Sequence, residues 1–142
     1  MGDRAVGAAG GLELACRLLL CALFLSTGLA GLASPAAFAA GLAQMGVPFP
    51  AAAGMAATAI NLLGPLILIA DPRRYGWIAA LILSIFTVTT IPFGHAFWLF
   101  DEPRRSEELH IAIEHASLIG GLLLTGLMSF RRWRARCRPH QA

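Results

Sequence analysis

"GHAFWLFDEPRRSEELHIAIEHASLIGGLLL", Gly94 to Leu124, sets a charged segment between two apolar ones and carries three of the four histidines. Read as a turn between two buried helices, it fixes the fold class, because both flanks are long enough to cross a bilayer. The rest of the chain follows the same pattern. No charged residue occurs from Leu18 to Ala70, a stretch too long for one helix and broken by "SPAAFAAGLAQMGVPFP", Ser34 to Pro50. Spans are therefore expected at about 14–33, 51–70, 77–98 and 111–130, each near the roughly 20 residues a hydrocarbon core needs. "DPRRYG", Asp71 to Gly76, is the short polar turn between the second and third spans. The expected fold is an all-α membrane protein: a single domain, residues 1–142, built as a four-transmembrane-helix bundle, with residues 131–142 as a basic, frayed tail.

Composition points the same way. Of 142 residues, 57 % are hydrophobic and only 13 % charged, against about a quarter charged in soluble domains. Mean hydropathy is +0.68. Such a chain cannot cover a globular surface with polar groups, so its exterior is expected to face the lipid bilayer. The net charge of +3 comes from 11 arginines and no lysine. These cluster at the ends of apolar segments, which argues for membrane topology over nucleic acid. Four spans put the N-terminus, the second loop and the C-terminus on one side. That side holds Arg4, Arg73, Arg74, Arg131, Arg132, Arg134, Arg136 and Arg138, while the other holds Arg104 and Arg105 offset by Asp101, Glu102, Glu107 and Glu108. The asymmetry predicts both termini in the cytoplasm. A signal peptide cut after Ala33 is the competing reading. The apolar run is long for one, and Glu13 and Arg17 lie well inside the chain, so retention is expected.

In the first loop Phe38, Leu42, Met45 and Val47 are spaced near a helical stripe ended by Pro48 and Pro50. That predicts a short amphipathic helix on the outer surface, a segment dipping into the bundle, or a plain apolar loop. Pro65 and Pro92 are expected to kink their helices, and Gly28, Gly31, Gly120, Gly121 and Gly126 to allow close helix contact. Cys16, Cys21 and Cys137 form no CxxC pair and read as small apolar filler.

Polar groups inside the spans need partners. Arg17, one turn beyond Glu13, is expected to snorkel to the interface beside it. Asn61, at mid-span, is expected to bond a neighbouring helix. His95 and Trp98 are three apart, hence on one helix face. His110 and Glu114 share a face, with His115 turned about a quarter turn. A short loop makes the third and fourth spans antiparallel neighbours, so His95, Trp98, His110, Glu114 and His115 form a candidate ligand-binding cluster near the outer surface. Imidazoles beside a carboxylate can move protons or bond the oxygens of a quinone-like head group. They can also simply cap helix ends. A transition metal is the third reading, but HxxxEH completes no zinc-type spacing.

The Arg17-containing first span with its Gly28, "GLAQMGVPFP", "GHAFW" and "GGLLL", in this order and spacing, resemble the DoxX family of small bacterial membrane proteins. The resemblance implies a four-helix bundle in the bacterial inner membrane. Relatives include subunits of a thiosulfate:quinone oxidoreductase and partners of enzymes handling thiol or oxidative stress. It therefore implies an auxiliary, redox-linked subunit, with quinone as the possible cofactor and a redox-enzyme subunit or a second copy as partner, rather than a stand-alone enzyme. His95 and Trp98 match the family's His-x-x-Trp. Asn61 stands where members often carry Glu, and His115 where they often carry Asn, which puts a mid-membrane proton carrier in doubt. The rival readings are an assembly protein docking a partner or anionic lipid through its Arg-rich tail, and a small-molecule carrier, for which no internal repeat speaks. Reporter domains fused to either end are expected to report the cytoplasm; opposite compartments for the two ends would refute the four-span topology.

Overall fold

The computed structural model describes residues 2–71 and 74–137, with side-chain surroundings from Gly10 onward. Arg73 and Arg138 lie outside the described residues, as does the side chain of Arg4. Five helices follow in order: α1 Gly2–Ala33, α2 Pro35–Gln44, α3 Pro50–Ala70, α4 Gly76–Gly94 and α5 Arg104–Cys137, with a single 3-10 turn at Phe97–Leu99 between the last two. Among the described residues there is no strand. Four helices are long and apolar enough to cross a membrane.

Local chemistry sets the breaks. Pro35 and Pro50 open α2 and α3 at the first helical position, where their missing N–H costs nothing. Gly46, at φ +75°, ends α2. Its N–H donates to the Ala43 carbonyl and that of Val47 to the Leu42 carbonyl, the paired closure that a left-handed residue permits. Asp71, itself left-handed at φ 43°, ends α3. Its carboxylate then accepts the Gly76 N–H at 2.7 Å and so caps α4. α3 runs through Pro65 and α4 through Pro92. The third span was expected at about 77–98, and the apolar stretch that could cross a membrane does run Gly76–Leu99. Within it the α-helix stops at Gly94, a poor helix former, and a 3-10 turn carries the chain on to Leu99. At the other extreme, residues 131–137 are not a frayed tail: α5 carries them as helix.

The helices run alternately up and down, α1 packing on α3, α3 on α4 and α4 on α5, while α1 and α5 form the thinnest seam between neighbours. Cys21, Phe24, Leu68, Ala79, Ala80, Leu83 and Leu122 make the core. Outward faces stay apolar: Leu19 is 79 % exposed and Leu124 62 %. Faces this apolar need hydrocarbon around them. Helix approach depends on missing side chains. A Cβ built on Gly126 would lie 2.9 Å from the Ala80 Cβ, and one on Gly28 2.8 Å from the Leu62 side chain. Gly120, expected to do the same, faces open space. Replacing Gly126 by Val should therefore cost about 1–3 kcal/mol by overpacking, whereas Gly120→Ala should be neutral or gain about 0.5–1 kcal/mol. Reversible unfolding in mixed detergent micelles measures both.

Candidate functional site

The bundle has two chemically different ends. At the end where α1 begins and α3 and α5 finish, a buried polar network ties three helices together. Arg17 is only 5 % exposed. Its guanidinium donates to the Leu68 carbonyl at 2.7 Å, to Glu13 at 2.7 Å and to Asp71 at 3.4 Å. Arg132, from α5, pairs with Glu13 at 2.6 Å and with Asp71 at 3.5 Å. Fully buried Ser129 donates its hydroxyl to Asp71 at 2.7 Å. Arg17 thus does not snorkel outward with Glu13 alone. It turns inward onto the carbonyl left free at the end of α3, because that carbonyl and the two carboxylates together satisfy a guanidinium better than one exposed glutamate. Trp77, Phe130 and Trp133 pack ring on ring beside the network, at 5.5–5.9 Å between centroids.

At the opposite end lies a cavity of about 480 Å³, within the size range of small-molecule sites. Leu23 and Phe24 of α1 and Phe86 and Phe93 of α4 form apolar walls. The stripe Phe38, Leu42, Met45 and Val47 closes it from the first loop. The first loop is thus not a plain apolar loop: its residues 35–44 form α2, packed against α3. Asn61 lines the cavity, 2 % exposed. Its amide nitrogen donates to the Ala57 carbonyl of its own helix at 2.8 Å instead of bridging to a neighbour. The other end of the amide has no partner among the described residues.

His95 and His115 line the same cavity. Their rings meet at 4.9 Å between centroids. His95 Nδ1 lies 2.9 Å from Glu108 Oε2, and His115 Nδ1 donates to the Ile111 carbonyl at 2.8 Å. The remaining three members of the expected cluster stay outside. His110 is exposed and bonds the Ser106 carbonyl of its own turn. Glu114 is exposed. Trp98 is 53 % exposed and packs edge-on against Phe97 at 5.0 Å. Helix phase explains the first two. Ala112, Leu122, Gly126 and Ser129 mark the buried face of α5. At 3.6 residues per turn, positions 108 and 115 fall within about 60° of Ala112, whereas 110 and 114 fall about 160° away. Trp98 is displaced because α4 has already ended, so His95 and Trp98 do not share a helix face. Glu108, counted at the outset only as loop charge, is the carboxylate that reaches the histidines. The phase of the small buried residues was the signal that could have found it. Among the described residues no three of His, Cys, Asp and Glu converge to hold a metal ion. Cys16, Cys21 and Cys137 are free thiols.

An apolar up-and-down bundle with a lined cavity at one end and a charged clamp at the other defines a small helical membrane protein. The sequence matches the DoxX family over residues 12–96, more than half of the chain, and the protein belongs to that family. The match takes in Arg17, Asn61, Asp71 and His95 but stops before α5, so Glu108, His115 and Arg132 lie beyond it. No curated protein and no solved structure matches the chain.

Asp71 lies outside the spans. Burial pushes its carboxyl upward, but the Ser129 hydroxyl, the Gly76 N–H and Arg17 more than offset this, holding it below the usual carboxylate range. A carboxyl whose folded pKa is depressed stabilises the fold above its unfolded value, about 3.9, and loses that contribution as pH falls through the folded value. The wild-type bundle should therefore weaken below about pH 4 more steeply than Asp71→Asn. At neutral pH that variant should be less stable by about 1–3 kcal/mol, read from thermal unfolding in detergent across the pH series.

Proposed function

We propose that this chain binds a lipid-soluble quinol in the cavity lined by all five helices, as an auxiliary subunit of a membrane redox system, quinone-linked or serving thiol and oxidative-stress chemistry. The arginine end faces the cytoplasm of a bacterial cell and the histidine end faces outward, in keeping with the arginine asymmetry. The observation that carries the reading is the cavity: apolar and aromatic walls, with Asn61 and the His95–His115 pair as its convergent polar groups. Apolar walls with a few placed polar groups suit a ring compound with a greasy tail.

The hydrogen bonds indicate which redox form fits. Glu108, as a carboxylate, can only accept, so His95 Nδ1 carries the hydrogen between them. The Ile111 carbonyl likewise requires the hydrogen on His115 Nδ1. Each neutral imidazole then offers Nε2 as an acceptor. Acceptors pair with a hydroxyl donor, so the reduced quinol is bound in preference to the oxidised quinone. A quinol hydroxyl can pass its proton to His95 Nε2, and Glu108 steadies the imidazolium so formed. Asn61 holds the distal oxygen of the ring through its uncommitted amide end.

Binding of a quinol with a short alkyl tail to the purified chain, followed by tryptophan quenching, tests this. His95→Ala and Asn61→Leu should each weaken it about tenfold, the equivalent of about 1.4 kcal/mol. His110→Ala and Glu114→Gln should change nothing, and the oxidised analogue should bind more weakly than the quinol. Absence of any quinol binding, or equal losses across all four variants, would end the proposal.

A further inference from the structure

The charged end of the bundle contains more cations than its carboxylates use. A cleft of about 380 Å³ opens between the start of α1, the turn after Asp71 and the end of α5. Arg17, Arg74, Arg132 and Arg136 line it, together with Glu13 and Asp71. Four guanidinium groups against two carboxylates leave two positive charges. Ion pairs account for Arg17 and Arg132. Among the described residues, Arg74 and Arg136 have no carboxylate within ion-pair distance, although they face the same space. Arg17 itself is more than nine-tenths buried, yet its Nε hydrogen has no acceptor among the described residues. That buried donor adds to the unbalanced positive charge of the two uncommitted cations beside it, a field that attracts an anion.

We propose that this cleft binds a phosphate group, presented either as the phosphodiester of an anionic membrane lipid or as free phosphate. Guanidinium forks match phosphate oxygens two at a time, and Arg74 and Arg136 line the cleft from different elements. Glu13 and Asp71 are already held by Arg17 and Arg132, so the anion seats on the Arg74 and Arg136 side. Leu14, 47 % exposed, and Ile69 form the apolar edge of the cleft, which gives an acyl chain a surface to lie against. The site differs from a basic tail acting by charge alone: Arg17 and Arg74 are far from the tail in sequence, and the outward arginines Arg131 and Arg134 take no part in it.

The test uses the full chain in neutral detergent, its melting temperature followed while phosphatidylglycerol, phosphatidylcholine or inorganic phosphate is added. Phosphatidylglycerol should stabilise the wild type where phosphatidylcholine does not. The double variant Arg74→Gln/Arg136→Gln leaves the Glu13–Arg17–Asp71–Arg132 network intact and should bind phosphatidylglycerol at least tenfold more weakly. The double variant Arg131→Gln/Arg134→Gln removes equal charge from the outward side and should bind as the wild type does. Stabilisation by inorganic phosphate, in competition with the lipid, makes phosphate itself the ligand; stabilisation by the lipid alone makes the lipid the source. Equal losses in the two double variants, or no preference for phosphatidylglycerol or phosphate over phosphatidylcholine, would overturn the site. Should the first double variant fail to fold, native mass spectrometry of the wild type decides: retention of phosphatidylglycerol over phosphatidylcholine supports the site, and equal retention refutes it.

Discussion

The carboxylate of Asp71 is the joint on which one end of the bundle turns. While the left-handed backbone of the same residue closes α3, the carboxylate caps α4 through the Gly76 N–H and receives Ser129 from α5. Arg17 and Arg132 reach it from α1 and α5. Packed between helices and away from water, each of these groups alone would be expensive. Together they satisfy one another, which converts a cost into a constraint on helix position. The constraint matters most between α1 and α5, where apolar contact is slight and the Glu13–Arg132 pair supplies the cross-link. Gly76 belongs to the same joint: a Cβ there would come within 2.7 Å of the Asp71 carboxylate, so the capping geometry excludes any side chain.

With one end clamped, the other is free to hold space. The cavity exists because α2 does not extend a span but folds back against α3, setting Phe38, Leu42, Met45 and Val47 opposite the aromatic faces of α1 and α4. The two ends then differ in kind. One is dense with ion pairs and cations. The other presents two imidazoles and an amide to an apolar volume.

Parts of the candidate site were legible in the chain and parts were not. His95 and His115 could be singled out because imidazoles are rare next to apolar spans and the short loop made their helices neighbours. Glu108 was passed over because it sits among five other charges in a segment that reads as a solvated turn. Its role depends on helix phase, which α5 sets through Ala112 and Gly126. Glu114 and His110 attracted notice for their i,i+4 spacing, yet that spacing only says that two residues share a face, not which face turns inward. Asn61 stood out as a lone amide in an apolar run. That it bonds its own Ala57 carbonyl and lines a cavity is a matter of what α3 packs against.

Sequence alone determined the solvent of this protein, the number of its long helices and the grouping of its arginines. Those properties are sums over many residues: hydropathy over some twenty positions and charge at segment ends, and no single contact can alter them. Only the tertiary structure decided which polar residues meet. A guanidinium on α1 finds a carbonyl in the last turn of α3, a carboxylate one turn into α5 finds an imidazole at the end of α4, and Trp98 is carried out of reach because it lies past the end of α4. Such pairings depend on the rotation of each helix about its axis, which is fixed by glycine contacts such as Gly126 on Ala80, and so by neighbours distant in the chain.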